Sequence, residues 1–222
     1  MSTRIKICCI RDIREAETAI RYGTSAIGLV AAMPSGPGPI PDELIRQIAA
    51  ATPPPVATFL LTSRTSVREI IEHHHLTHTN TIQIVDALSE GTYEELKTAL
   101  PGVKIVQVVH VISEASAEEA VRISRSVDAL LLDSGNPNLR VKELGGTGRV
   151  HDWQLSRKIR EQASCPVFLA GGLNPENVRE AIETVEPLAV DVCSGVRTNG
   201  LLDEEKLKKF ISEVHSADRS VN

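Results

Sequence analysis

Short apolar runs alternate along the chain with longer stretches whose apolar residues recur at helical spacing. The runs at 4–10, 26–30, 56–61, 81–85, 103–111, 129–132, 166–170 and 189–192 are too short for helices and read as strands buried on both faces. Helix starts stand between them. Asp12-Ile-Arg-Glu15, Ser66-Val-Arg-Glu69, Thr92-Tyr-Glu-Glu95 and Ser116-Ala-Glu-Glu119 each set a capping oxygen three residues before a carboxylate. Pro41 suits a first helical turn, Asn174-Pro175 suits an N-cap with its first-turn proline, and Gly23 suits a helix end. Further helices are expected over 151–162 and 203–214, the latter with Leu207, Phe210 and Ile211 facing inward.

A strand-helix unit repeated at roughly 25-residue spacing is satisfied by a closed parallel barrel, which leaves no sheet edge exposed. The expected fold is therefore α/β, a single (β/α)8 TIM barrel occupying 1–222 as one domain. A doubly wound open sheet is the alternative. In such a barrel the strand C-termini and the loops after them form the active face.

Asp133 ends the sixth apolar run, just before a long loop that closes in Gly145-Gly-Thr-Gly148. A carboxylate there is held on rigid backbone, which makes it a candidate acid. Cys8 ends the first run and can enter the same mouth, so a thiol that loses a proton and a carboxylic acid that gives one form a candidate base and acid. Lys6 lies two residues before Cys8, and Asp191 two before Cys193 on the neighbouring strand, so a Lys6–Asp191 pair is expected inside the barrel. The turns Gly171-Gly172 and Ser194-Gly195, together with Gly146, offer backbone N–H groups to a phosphate, making a phosphorylated substrate the expected partner. His73, His74, His75 and His78 are placed in a solvated connection on the opposite face, and Trp153 and Phe168 in the layer between helices and sheet.

Among 222 residues, 41% are hydrophobic and the net charge is -5, which supplies no basic face for nucleic acid. No apolar run approaches membrane-spanning length, so neither a membrane partner nor export is expected and the cytoplasm is the expected compartment. Cys8, Cys9, Cys165 and Cys193 lack the spacing of a disulfide framework and read as reduced thiols, and no zinc-ligand pattern is present. The pattern implies no particular oligomeric state.

Taken together, Lys6-Ile-Cys8, Leu131-Leu-Asp133-Ser134, Gly145-Gly-Thr-Gly-Arg-Val-His-Asp-Trp153, Leu169-Ala-Gly-Gly-Leu-Asn-Pro-Glu-Asn-Val178 and Asp191-Val-Cys-Ser-Gly-Val196 resemble the phosphoribosylanthranilate isomerase family of tryptophan biosynthesis. The resemblance implies a cofactor-free Amadori rearrangement. Asp133 would protonate the ribose ring oxygen, and Cys8 would remove the C2′ proton of the opened Schiff base. The same barrel and acid-base pair acting on a different phosphosugar, or a silent phosphosugar-binding protein, are the alternatives. The departures fall where the aromatic half of that substrate would bind. Cys9 replaces the family's glycine, Ser35-Gly-Pro-Gly-Pro39 replaces a Ser-Pro-Arg segment, Val85 and Asp86 replace His-Gly, and Arg197 replaces glutamate. Arg64 and Arg197 are the cations left to meet the anthranilate carboxylate.

Overall fold

A computed structural model describes residues 2–135 and 151–220. Its strands are β1 (Arg4–Ile7), β2 (Ala26–Val30), β3 (Ala57–Thr62), β4 (Thr81–Ile84), β5 (Lys104–His110), β6 (Ala129–Asp133), β7 (Val167–Leu169) and β8 (Ala189–Val192). They pair in parallel in chain order, and β8 returns to β1 to close the barrel. Between and after them run α1 (Ile13–Arg21), α2 (Asp42–Ala51), α3 (Val67–Thr77), α4 (Tyr93–Ala99), α5 (Glu114–Ile123), α6 (Trp153–Gln162), α7 (Val178–Val185) and α8 (Glu204–Ser220).

Strand periodicity divides the apolar residues into two packed layers. One set, including Val30, Phe59, Leu61, Val85, Val106, Val108 and Leu131, points inward and fills the barrel. The alternate set, including Ile7, Ile27, Leu29, Leu60, Ile82, Leu130 and Leu132, points outward against the helices. Phe168 belongs to the inner set, edge-on to Phe59 at 5.7 Å between ring centres, and not to the outer layer expected of it. Trp153 does pack in that outer layer. No helix of the described residues is long and apolar enough to cross a membrane.

Several element ends differ from expectation for local reasons. β1 stops at Ile7, because Cys9 turns the backbone left-handed at φ 62°. α5 is capped by Ser113, whose hydroxyl accepts from the Ser116 N–H; Ser116 is the far side of that capping box. α7 begins at Val178, since Asn174 and Pro175 form a preceding turn in which Asn177 Oδ1 accepts the Asn174 N–H at 2.8 Å. α8 runs to Ser220, beyond the expected 214, and Asp218 accepts the Thr3 N–H at 3.0 Å and the Thr3 hydroxyl at 2.7 Å.

The histidine run is corrected in part: His75 and His78 are exposed, and His78 follows the helix in the connection expected of it, but the other two are not solvated. His73, His74 and His75 belong to α3, and His73 and His74 are buried. Thr62 at the end of β3 bonds His73 Nδ1 at 3.0 Å, and His73 Nε2 reaches Asp42 of α2 at 3.0 Å. His74 Nε2 bonds the Thr79 carbonyl at 2.7 Å. These rings therefore tie helices to the barrel wall and are not a solvated connection.

Candidate active site

Cys8 follows the last β1 ladder residue, and its N–H donates to the Val192 carbonyl of β8 at 2.8 Å. Asp133 is the last residue of β6, across the barrel. Both line one cavity at the strand C-termini, together with Asp191, Cys193, Ser194 and the turn Gly171-Gly172.

Asp133 is buried, and the Ser134 N–H donates to its Oδ1 at 2.7 Å. Burial pushes its pKa up to about 6; the Ser134 bond and the Lys6 ammonium pull against that rise, while the Asp191 charge adds to it. The Cys8 thiol moves the other way, to below its ordinary value. A hydrogen bond from the Cys9 thiol is the largest cause, and the Lys6 ammonium adds to it against the opposing effect of burial. The two groups are therefore biased toward opposite roles, one to keep its proton and one to give it up.

Beneath them lies the expected ion pair. Lys6 and Asp191 face each other in the β1–β8 register, with Nζ 2.9 Å from Oδ2. Burial alone would lower the Lys6 pKa, but the adjoining carboxylate outweighs it, so the ammonium stays charged. Nζ also lies 5.1 Å above the Phe59 ring. Gly28 on β2 makes this room: a Cβ there would sit 2.7 Å from Cys8 Sγ and 3.1 Å from Lys6 Nζ.

The β7 and β8 turns converge as expected. Gly171 and Gly172 both have positive φ, and a Cβ on Gly171 would press on the Ser134 N–H and hydroxyl. Among the described residues, neither glycine's N–H donates a backbone hydrogen bond. Ser194 lines the cavity and opens a 3₁₀ turn to Val196. Gly195 faces the β7 turn, so closely that a Cβ would collide with the Leu173 carbonyl. Its absent side chain lets the two turns approach, whereas it is not itself on the cavity wall. Gly146 lies outside the described residues.

Neither arginine candidate reaches the wall. Arg197 is turned beneath the β1 end, where its guanidinium donates to the Cys8 carbonyl at 3.1 Å and the Cys9 carbonyl at 2.6 Å, and pairs with Glu15 at 3.0 Å. It is a clamp on the β1 turn, which corrects its expected contact with substrate. Arg64 is exposed on the β3–α3 connection, and its N–H donates to Thr62 Oγ1 at 3.2 Å.

One contributor, Gln83, was not singled out from sequence, and Cys9 and Asp191, which were, show features that their spacing did not signal. Cys9 adopts a left-handed conformation that costs a non-glycine residue about 1 kcal/mol or more. Gln83 Oε1 and Asp191 Oδ1 are buried and lack partners among the described residues, and both side chains line the cavity. Gln83 could have been found as a long polar side chain on the inward parity of β4. Among the described residues no group of three or more His, Cys, Asp or Glu side chains is placed to hold a metal ion.

Residues 5–213 match the family model described as N-(5'phosphoribosyl)anthranilate (PRA) isomerase. A protein of Methanosarcina acetivorans named N-(5'-phosphoribosyl)anthranilate isomerase is 38% identical, over 96% of this chain and 94% of its own. The crystal structure of phosphoribosyl anthranilate isomerase from Thermotoga maritima is 30% identical with a TM-score of 0.79, covering 96% of this chain and 99% of that one. A second such structure, in complex with reduced 1-(o-carboxyphenylamino)-1-deoxyribulose 5-phosphate, is 28% identical with a TM-score of 0.76, at the same coverages. The chain belongs to the N-(5'-phosphoribosyl)anthranilate isomerase family.

Proposed function

We propose that the protein catalyses the Amadori rearrangement of N-(5'-phosphoribosyl)anthranilate in tryptophan biosynthesis; the names of its relatives make them isomerases of that compound. The observation that carries this is the placement of Cys8 and Asp133 on one cavity with opposite proton preferences. Asp133, as the carboxylic acid, protonates the ribose ring oxygen and the ring opens to a Schiff base. Cys8, as thiolate, takes the C2′ proton, and the enolamine becomes the aminoketose. The phosphate is held by the N–H groups of Gly171 and Gly172 and by the Ser194-Gly195 turn, with Gly146 as the third contributor. Binding of a phosphorylated analogue by a family structure supports that part of the reading. As an enzyme of small-molecule biosynthesis it belongs in the cytoplasm.

The test is turnover of phosphoribosylanthranilate made in situ, followed by its fluorescence, with growth of a tryptophan auxotroph lacking the isomerase as the cellular counterpart. Turnover strongly lowered by Cys8→Ala or Asp133→Ala is expected; no turnover by the unaltered protein at any accessible concentration would overturn the assignment. One observation favours a second reading, that the same chemistry serves another phosphosugar amine. The 35–37 wall of the cavity carries no cation, and Arg197 is committed to Glu15 and the β1 carbonyls.

A further inference from the structure

We propose that the Gln83 side-chain amide is a specificity-determining group of this site, hydrogen-bonding a hydroxyl of the substrate's sugar at the cavity floor. The inference deepens the isomerase reading above and rests on it. Inward side chains of alternate strands stack in levels in a barrel of this kind. Ala26, Thr81, Ala129 and Ala189, on the even strands, open on the far, N-terminal end of the barrel. Two residues further along each of those strands stand Gly28, Gln83, Leu131 and Asp191, and the last three line the mouth cavity. Asp133 and Cys193 come two residues later again. Gln83, Leu131 and Asp191 are therefore the floor beneath the acid.

Gln83 is only 3% exposed, and its Oε1 is buried without a partner among the described residues. Its surroundings offer no donor. The residues level with it on β3 and β5 are Leu61 and Val106, and Leu131 shares its floor. The other polar floor residue, Asp191, gives one carboxylate oxygen to Lys6 and leaves Oδ1 without a partner. An acceptor buried unpaired lowers stability, so two of them facing one cavity mark a place where a ligand completes the bonding. What they call for is donors. With the phosphate held at the β7 and β8 turns and the ribose between Cys8 and Asp133, the sugar hydroxyls are the donors that reach the floor. The anthranilate carboxylate is itself an acceptor and suits neither oxygen. A hydroxyl both donates and accepts, so it satisfies the Gln83 amide whichever way that amide is turned.

The experiment measures, by titration calorimetry, the binding of ribose 5-phosphate, 2-deoxyribose 5-phosphate, 3-deoxyribose 5-phosphate and inorganic phosphate to wild type and Gln83→Met, with Tm as a check on folding. Methionine keeps the length of the side chain and removes its polar end. Wild type should bind ribose 5-phosphate roughly tenfold more tightly than at least one of the deoxy sugars, the worth of one hydrogen bond. Gln83→Met should erase that preference by weakening only the sugar that carries the hydroxyl, with inorganic phosphate bound as before and Tm no lower. A wild type that does not bind ribose 5-phosphate or does not prefer it, a variant that keeps the whole preference, or one that weakens every sugar alike would overturn the proposal. Binding needs no turnover, so a protein that selects the hydroxyl through Gln83 but fails to isomerise refutes the isomerase reading alone.

Discussion

Lys6 Nζ and Asp191 Oδ2 meet at 2.9 Å inside the barrel, at matched register on the strands that close it. Removing either partner strands a buried charge, whereas removing both does not. Lys6→Met or Asp191→Asn alone is expected to cost about 3–5 kcal/mol in denaturant unfolding, and Lys6→Met/Asp191→Leu to recover most of that loss. A double variant no more stable than either single variant would show that the pair's worth lies in packing and not in charge.

Asp133 sets the second expectation. Its pKa is raised to about 6, so the carboxyl carries its proton below that pH and loses it above. One limb of the kcat/KM profile should therefore fall near pH 6. Asp191→Asn removes a charge that raises this pKa and releases the opposing Lys6 ammonium, so the limb should move to lower pH. Cys8→Ala and Asp133→Ala should each lower kcat by roughly 10²–10⁴, the usual worth of a positioned base or acid.

The two arginines should separate cleanly. If Arg64, exposed on the β3–α3 connection, meets the substrate carboxylate, Arg64→Ala raises KM about tenfold or more with kcat retained, because a clamp on the non-reacting ring holds ground and transition states alike. Arg197→Ala should instead reduce stability by about 3–5 kcal/mol, since it breaks a buried pair with Glu15 and frees the Cys8 and Cys9 carbonyls. For the unaltered protein a high KM is expected, because the arginine of the family's Ser-Pro-Arg segment has no counterpart in Ser35-Gly-Pro-Gly-Pro39.

Inorganic phosphate should compete with substrate for the Gly171-Gly172 and Ser194-Gly195 turns. Gly195→Ala places a methyl against the Leu173 carbonyl and forces the turns apart, so it should weaken phosphate inhibition more than it lowers Tm. Unchanged inhibition in that variant would move the phosphate site elsewhere.

The barrel was legible because β-period and helix-period runs alternate without interruption, and the parity of Lys6, Cys8, Asp191 and Cys193 along adjacent strands placed the ion pair correctly. What escaped depended on contacts distant in sequence. Nothing near Arg197 signals that Glu15 and two carbonyls of another strand will take its donors. The histidine run looks polar, yet helix α3 turns His73 toward Thr62 and Asp42, partners 11 and 31 residues away. Ser113 and Ser116 are both good caps, and only the backbone direction decides which one leads.

Gly28 makes no contact through a side chain, takes no part in the chemistry and sits in the middle of an ordinary strand. Yet the sulfur and the ammonium occupy the space that one methyl group would fill. A survey of every position for lost turnover would therefore score Gly28 alongside Cys8 and Asp133. The smallest residue in the barrel wall is part of the mould in which the reacting groups are cast, and even alanine would be too large for it.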